Sequence, residues 1–361
     1  MPTWDLLRDL PVAIESLALE GLEQQYGPEF TRLTTIVRFS GGGEQGAGED
    51  VTYDALDHLP FRDAVAAFDG LHGSHTLGSF AELVGETDLF PGSPPVNEDW
   101  RIYRRWAFDS AALDLALAQA GASAGEVLGR EPRPLTYVVS MRLADMGHEG
   151  PERIDRLATL LARYPDTRFK LDPTAGWTEA LVAELAATGA VDSVDFKGHY
   201  RGTPVDVETD AELYRRVAEA FPDAWLEDPD LSDPAAAAVL EPHRDRITWD
   251  APIHSIADIE ALPFAPRMVN VKPSRFGSLE ALCAAYDYCE ANAIGAYGGG
   301  QSELGIGRDQ IQYLAALFHP DAPNDTAPRE FNLPHPPDGL PESPIELPLA
   351  SAGLRFDRVG G

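Results

Sequence analysis

Short apolar segments, each followed by charged residues, recur between positions 168 and 273: RFKLDP (168–173), VDSVDFKG (191–198), AWLEDP (224–229), ITWDAP (247–252) and MVNVKP (268–273). Amphipathic helical patterns separate them, among them WTEALVAELAATG (177–189) and DAELYRRVAEAF (210–221). Strands that alternate with amphipathic helices predict a parallel sheet, and a long run of such units predicts a (β/α) barrel. The predicted fold class is therefore α/β.

Charged residues stand where these predicted strands end: Lys170, Asp195, Glu227, Asp250 and Lys272. In (β/α) barrels the C-terminal ends of the strands form the active site. Asp195, Glu227 and Asp250 end the third, fourth and fifth strands, and oxygen ligands from adjacent strands suit Mg²⁺. The histidines are scattered without HExxH-type spacing, so the sequence predicts a magnesium site and no zinc site.

Lysine occurs at three positions in the chain, Lys170, Lys197 and Lys272, and each lies at a predicted strand end. Lysine and arginine together number 28, so the other 25 are arginines. Arginine does not deprotonate in proteins, whereas a buried lysine shifts its pKa readily and can act as a base. We therefore predict a catalytic role for at least one lysine. Buried structural ion pairs are the alternative interpretation.

The rest of the chain divides around this barrel. Residues 1–132 predict a separate α+β unit with an antiparallel meander, in which the glycine cluster 41–48 forms a hairpin turn. The barrel is expected over 133–329, and the proline-rich tail, about 330–361, is expected to return over the N-terminal unit. The predicted barrel strands are 135–141, 168–172, 191–197, 224–228, 247–251, 268–273 and 294–299, with the eighth within 328–350.

Composition excludes several classes of partner. The formal net charge of −31 argues against nucleic acids and anionic membranes, and no apolar run approaches the roughly 18 residues of a membrane span. The first residues, MPTWDLLRDLP, carry acids where a signal peptide has basic residues. Cys283 and Cys289 lie six apart on one predicted helix, which indicates unpaired packing residues in a reducing compartment. We expect a cytoplasmic protein.

Four segments resemble one family. VNVKPSRFGSLEAL (269–282) and GGGQSELGIG (298–307) are similar to the strand-6 and strand-7 segments of the mandelate racemase/muconate-lactonizing branch of the enolase superfamily. RFSGGGEQGAGED (38–50) resembles the hairpin of its capping domain, and 106–129 resembles the helix pair that enters its barrel. The resemblance implies a modified TIM-type (β/α) barrel with an N-terminal α+β capping domain.

The resemblance also implies a chemistry. Members of the family bind Mg²⁺ through Asp, Glu and Asp on strands 3, 4 and 5, which here are Asp195, Glu227 and Asp250. They remove the proton α to a substrate carboxylate through a metal-stabilised enediolate. The implied partner is a small carboxylate substrate. Because family members commonly associate, the resemblance leaves a homo-oligomer open.

The chain departs from the family pattern in its lysines. The usual strand-2 motif is Lys-x-Lys, but here it reads Lys170-Leu-Asp172. The usual strand-3 motif is Asp-x-Asn, but here it reads Asp195-Phe-Lys197. Residues two apart on a strand point the same way, so Lys197 is expected to face the cavity beside Asp195. The frequent Glu after the strand-5 ligand is Ala251.

These positions set the expected roles. Lys272 is the predicted base, and Lys170, Lys197 and Asp172 are candidates for acid–base or electrostatic work across the barrel. Glu303 is expected to orient a substrate group or to support Lys272. Capping-domain loops at 21–28 and 48–58 are expected to set specificity. The remaining substrate-binding candidates are Asn270, Arg275, His199, Tyr200 and Tyr26.

Three functions remain open at this point. A lyase, dehydrating a small hydroxy acid, is favoured by Lys197 as an additional acid near the metal. A racemase, epimerase or cycloisomerase is favoured by Lys170 and Lys272 on opposite faces of the barrel. A catalytically decayed binding scaffold is the third, and the complete set of acidic ligands argues against it.

Overall fold

The structure is a computed structural model and describes residues 1–26, 30–145, 148–203, 205–333 and 335–357. The N-terminal part contains the predicted antiparallel meander, built from β2 (Ser16–Gln25), β3 (Thr31–Gly41) and β4 (Glu44–Asp50). A smaller sheet pairs β1 (Pro11–Ile14) with β5 (Gly73–Thr76).

Of the helices of this part, α3 (Trp100–Ala120) packs along β4 of the meander and α1 (Ala55–Asp63) contacts β2 and β3. The others are α2 (Leu77–Glu86), which packs on α3, and α4 (Ala124–Leu128). The helix pair expected over 106–129 begins earlier, because α3 starts at Trp100. Its first turns carry Arg101, Arg104 and Arg105, which mask the apolar periodicity. Arg104 is nevertheless buried, because its guanidinium pairs with Asp50 at 2.8 Å.

The glycine-rich hairpin between β3 and β4 does two things. Gly42 and Gly43 form the predicted turn with φ of 62° and 83°, a conformation that favours glycine. Gly46 allows close packing, since a Cβ there would lie 2.2 Å from the backbone nitrogen of Leu115 in α3. The helix therefore rests directly on strand β4.

The barrel strands lie within the ranges that the sequence predicts: β6 (Val139–Met141), β7 (Phe169–Leu171), β8 (Val191–Asp195), β9 (Trp225–Glu227), β10 (Ile247–Thr248), β11 (Met268–Val271) and β12 (Gly295–Gly298). They form barrel strands 1 to 7. β6 to β10 pair in parallel in chain order, and β11 pairs in parallel with β12. Helices intervene or follow: α5 (Asp155–Arg163), α6 (Glu179–Thr188), α7 (Ala211–Ala220), α8 (Pro234–Leu240), α9 (Ile256–Glu260), α10 (Pro273–Phe276), α11 (Leu279–Ala291) and α12 (Ile306–Phe318).

Isolated parallel bridges close the barrel. Trp249 bridges to Val269 and so joins β10 to β11, while the eighth strand is the short pair Asn324 and Asp325. Asn324 bridges to Tyr137 and Asp325 to Gly299. The prediction that the eighth strand lies within 328–350 is therefore wrong. Two residues are too few to show an alternating pattern.

The side chain of Asn324 links this short strand to both of its neighbours. It accepts a hydrogen bond from Gly298 N at 2.6 Å and donates to Thr136 O at 2.9 Å, so it links strands 7 and 1. His319, at the end of α12, contacts the same side chain through its Nδ1 at 2.7 Å. Backbone hydrogen bonds from Val138 N to Asn324 O and from Asp325 N to Gly298 O, both at 2.8 Å, complete the closure.

The C-terminal tail contacts both parts of the chain. Ile345 bridges to Leu135 at the start of the barrel, and Gly353 bridges to Ser123 at the end of the N-terminal part. Residues 334 and 358–361 of the predicted tail lie outside the described residues. Cys283 and Cys289 are free and buried in α11. None of the helices in the described ranges is long and apolar enough to cross a membrane.

Candidate active site

The predicted charged residues converge at the C-terminal ends of the barrel strands. Asp195 and Glu227 are paired neighbours in the register of β8 and β9. Lys170 lies on β7, Asp250 lies two residues beyond the end of β10, and Lys272 directly follows β11. Each of these side chains is almost completely buried. Alternation along the strands explains this arrangement. Leu171 and Leu226 point outward into the hydrophobic core between strands and helices, so their neighbours Lys170 and Glu227 point into the barrel.

The tightest carboxylate cluster consists of Asp195, Glu227 and Asp228, whose oxygens include one from each within 4.8 Å of the others. Asp228 was not predicted, because alternation directs it away from the cavity. Its backbone has φ of 48°, a left-handed conformation that aspartate adopts more readily than most residues other than glycine. Its carboxylate accepts hydrogen bonds from the amides of Asp250 and Ala251, both at 2.8 Å.

Asp250, the predicted third ligand, is surrounded by cations. Its Oδ2 lies 2.7 Å from Lys272 Nζ and its Oδ1 lies 2.8 Å from Arg275 Nη1. Tyr200 donates its hydroxyl to Oδ2 at 3.3 Å. Burial raises the pKa of Asp250, but the positive charges of Arg275 and Lys272 lower it by more. The net pKa is therefore below its usual value. Asp250 therefore stays ionised beside the cluster.

Lys170 is held in its charged form. Its Nζ contacts Glu227, lies 3.2 Å from Asp195 Oδ2 and lies 3.4 Å from Asp325 Oδ2. Burial lowers the pKa of Lys170, but Glu227 and Asp195 raise it more, and the net pKa is well above its usual value. An ammonium so placed is a poor base and a strong electrostatic partner.

Lys197 and Asp172 form an ion pair beside Asp195. Lys197 Nζ contacts Asp195 and lies 3.7 Å from Asp172 Oδ1. Asp172 also pairs with Arg142, a residue not singled out from the sequence, at 3.2 Å. Burial lowers the pKa of Lys197, yet the two aspartates raise it well above its usual value. The side chain lies beside Asp195, the predicted neighbourhood, but Lys197 follows the end of β8 with φ of 56°, so a left-handed turn and not strand alternation places it there.

Lys272 differs from the other lysines. Burial lowers its pKa, Asp250 raises it and Arg275 lowers it again, so that the net pKa falls below its usual value. Gly299 on the next strand gives it space, since a Cβ there would lie 2.5 Å from Lys272 Cε. The same missing side chain accommodates Asn270, whose buried amide nitrogen and oxygen have no hydrogen-bond partner within the described residues.

Sequence reasoning missed two inward-facing residues near the end of the barrel. Asp325, on the two-residue eighth strand, contacts Lys170 and offered no periodic signal. Tyr297, on β12, donates its hydroxyl to Glu227 Oε2 at 2.6 Å. Alternation could have found Tyr297, because residues two positions apart on a strand point the same way and Gly299 lies against Lys272 inside the barrel.

The other predicted positions are spread around the mouth. Glu303 accepts a hydrogen bond from Gln301 N at 2.6 Å and pairs with Arg308 at 3.1 Å. Tyr200 approaches Arg275 as well as Asp250, whereas His199 is exposed. Tyr26 is partly buried and stacks on Phe30, with ring centroids 6.1 Å apart. Residues 27 and 28 of the predicted specificity loop lie outside the described residues.

Comparison with solved structures shows which fold the chain has. A dipeptide epimerase from Methylococcus capsulatus, complexed with a Mg ion, is 19% identical with a TM-score of 0.67 over 94% of this chain and 99% of that one. A muconate cycloisomerase from Pseudomonas fluorescens is 18% identical, with a TM-score of 0.63 over 88% and 87%. An enolase from Pseudomonas fluorescens Pf0-1, with bound magnesium, potassium and tartrate, is 15% identical, with a TM-score of 0.65 over 91% and 81%. The predicted fold class is confirmed: the chain has the fold of the mandelate racemase/muconate cycloisomerase-type enolase superfamily.

Sequence comparison gives the particular family. Residues 5–127 match the N-terminal domain of a family described as a domain of unknown function (DUF8230), and residues 131–333 match its C-terminal domain. The chain belongs to this family. No curated protein matches the chain.

Proposed function

We propose that the chain is a Mg²⁺-dependent enzyme that removes the proton α to the carboxylate of a small substrate. The observation that carries the proposal is the meeting of buried acidic side chains and buried lysines at the active-site end of the barrel. The fold supports an enzyme of this kind, since its structural relatives include an epimerase and a cycloisomerase. Several relatives contain magnesium, which supports the choice of cation.

The charges around the site fit a divalent cation. With Lys272 neutral, as a base must be, and the other groups ionised, the residues around the site carry two net negative charges. A divalent cation balances them. The acidic members are Asp172, Asp195, Glu227, Asp228, Asp250 and Asp325, and the basic members are Arg142, Lys170, Lys197, Lys272 and Arg275.

The donor atoms also fit magnesium. The cluster offers carboxylate oxygens, the ligands that Mg²⁺ prefers. Asp195 and Glu227 would hold the ion. We propose the predicted Asp250 as the third ligand, and Asp228, which has an oxygen within 4.8 Å of theirs, is the alternative. Bound there, Mg²⁺ supplies a Lewis acid that stabilises negative charge on the substrate carboxylate as the proton leaves. The amide of Asn270, which has no hydrogen-bond partner in the part of the chain that the structure describes, would bind the substrate.

The three lysines have different roles in the proposed reaction. Lys272 is the base, because a buried amine can accept a proton when its ammonium form is destabilised. Lys170 remains an ammonium that balances Asp195 and Glu227. Lys197 is likewise held as an ammonium beside Asp172 and Asp195, so we assign it the role of a hydrogen-bond donor and electrostatic partner to a leaving group. Tyr200 and Arg275 keep Asp250 in position from the side of the mouth.

This division favours a lyase, with loss of water from a small hydroxy acid. A racemase or epimerase needs a second amine that can exchange protons, and Lys170, enclosed by carboxylates, is poorly suited to that task. Isomerisation is therefore the second candidate. It rests on the position of Lys170 across the barrel from Lys272. A binding scaffold without activity is the third candidate.

Incubation of acid sugars and N-acyl amino acids in D₂O with Mg²⁺, followed by NMR, tests the proposal. A lyase releases a keto acid, whereas an isomerase exchanges deuterium at the α position without loss of water. Lys272→Met should abolish either reaction, and Arg267→Met, an exposed position, should leave it unchanged. A scaffold would turn over no carboxylate, and Lys272→Ala would still bind its ligand.

A further inference from the structure

Tyr297 crosses the interior of the barrel to reach the carboxylate cluster. It lies on β12, strand 7, and its hydroxyl donates to Oε2 of Glu227 on β9, strand 4, at 2.6 Å. Strands 7 and 4 are three places apart around the barrel, so the phenol must span the interior. Both side chains are buried, with Tyr297 2% and Glu227 0% exposed.

The inward orientation of Tyr297 follows from the strand itself. Tyr297 pairs in register with Asn270 on β11, and Gly299 follows two positions later on the same face. Gly299 leaves room for Lys272 at the end of the strand, whereas Tyr297 fills the space one level below. The phenol therefore forms the floor beneath the acidic cluster.

We propose that Tyr297 is a positioning residue that fixes Glu227 for cation binding. The inference rests on the proposed function, because it presumes a cation at Asp195 and Glu227. Glu227 is held at both oxygens, by Lys170 at Oε1 and by Tyr297 at Oε2. A carboxylate oxygen has more than one lone pair, so both contacts leave lone pairs for the ion.

The Tyr297 hydroxyl holds Oε2 of Glu227 in place while Lys170 attracts Oε1. Without it, Oε2 of Glu227 loses its donor in a buried place, and the carboxylate can rotate towards the ammonium. Hydrogen-bonding partners of metal ligands fix ligand orientation in this way, and their loss typically lowers metal affinity by 10- to 100-fold. Tyr297→Phe removes this single group and keeps the ring that fills the floor.

Titration of Mn²⁺ followed by electron paramagnetic resonance tests the inference without any substrate. We expect Tyr297→Phe to raise the Kd for Mn²⁺ by about 10-fold or more. The matched control is Tyr137→Phe, another buried tyrosine, whose hydroxyl donates to Pro341 O at 2.5 Å, away from the cluster. Both variants should lower the melting temperature similarly, and the control should bind Mn²⁺ as the wild type does.

The outcomes separate the two proposals. If the wild type binds Mn²⁺ and Tyr297→Phe binds it equally well, the role of Tyr297 is refuted and the proposed function stands. If the wild type binds no divalent cation, the proposed function itself is overturned. Should Tyr297→Phe fail to fold, 3-fluorotyrosine at position 297 keeps the hydroxyl, and a ¹⁹F resonance that does not respond to Mg²⁺ would refute the inference.

Discussion

Lys197 Nζ lies 3.7 Å from Asp172 Oδ1, across the ends of strands β8 and β7. Both residues depart from the enolase-superfamily pattern, in which the first position carries asparagine and the second carries lysine. The two departures compensate each other, because an amine lost from strand 2 is replaced by one on strand 3 with its own counter-ion. Arg142 adds a second cation beside Asp172.

We expect the two residues of this pair to be energetically coupled. Asp172→Asn and Lys197→Met should each destabilise the fold, since each removes one ion-pair partner of a mostly buried charge. The double variant should lose less than the two single losses combined, with a coupling energy of about 1 kcal/mol from urea unfolding. The exposed pair Arg215 and Glu212 serves as control and should show much weaker coupling. Strict additivity at 172 and 197 would contradict the prediction.

The third cation ligand can be assigned by comparing two substitutions. Asp250→Asn should weaken Mg²⁺ binding more than Asp228→Asn, because the first removes a ligand and the second a supporting carboxylate that holds the amides of Asp250 and Ala251. We expect a loss of about 10- to 100-fold for Asp228→Asn by isothermal titration calorimetry. Asp230→Asn, which breaks a pair with Arg201, is the control. The reverse order would make Asp228 the ligand.

Glu49 ties the capping domain to the strand-7 loop. Its buried carboxylate accepts hydrogen bonds from the amides of Leu304, Gly305 and Gly307, at 2.6, 2.9 and 2.8 Å. Glu49→Gln places an amide group against these donors. We expect hydrogen exchange at 304–307 to become about 10-fold faster or more, since an unsatisfied buried group costs about 1–3 kcal/mol. Glu44→Gln, on the exposed hairpin, should leave exchange there unchanged.

Asp109 on α3 should make the free energy of unfolding decrease as the pH rises, the opposite of the usual effect of a buried, ion-paired carboxylate. Burial raises its pKa to about 7 despite Arg105, and its Oδ1 has no hydrogen-bond partner among the described residues. Between about pH 4, its unfolded pKa, and pH 7 the folded state binds more protons at this site than the unfolded state. The contribution of Asp109 is therefore present at low pH and is lost as the pH rises through 7.

Asp109→Asn isolates this contribution. The difference in unfolding free energy between variant and wild type should grow in favour of the variant as the pH rises from 4 to 8, with a maximal slope of about 1.4 kcal/mol per pH unit. Urea titrations at several pH values measure it. Asp287→Asn, at the contact with Thr3, is the control. A pH-independent difference for Asp109→Asn would refute the raised pKa.

The sequence by itself determined the barrel, its strand ends and the capping hairpin. These features follow from local periodicity: alternation on a strand directs Lys170, Asp195 and Glu227 inward, and the lysines mark strand ends in a chain otherwise supplied with arginine. The resemblance of 269–282 and 298–307 to one family added the expected ligand set.

Only the tertiary structure decided the eighth strand, the roles of the lysines and the residues that surround Glu227. Asn324 helps to close the barrel through side-chain hydrogen bonds that no periodic pattern encodes. Tyr297 reaches its partner across 70 positions of chain. The pKa of Lys170 rises and that of Lys272 falls because their charged neighbours come from distant segments. Charge interactions act through space, so a linear pattern can name the groups but not their protonation states.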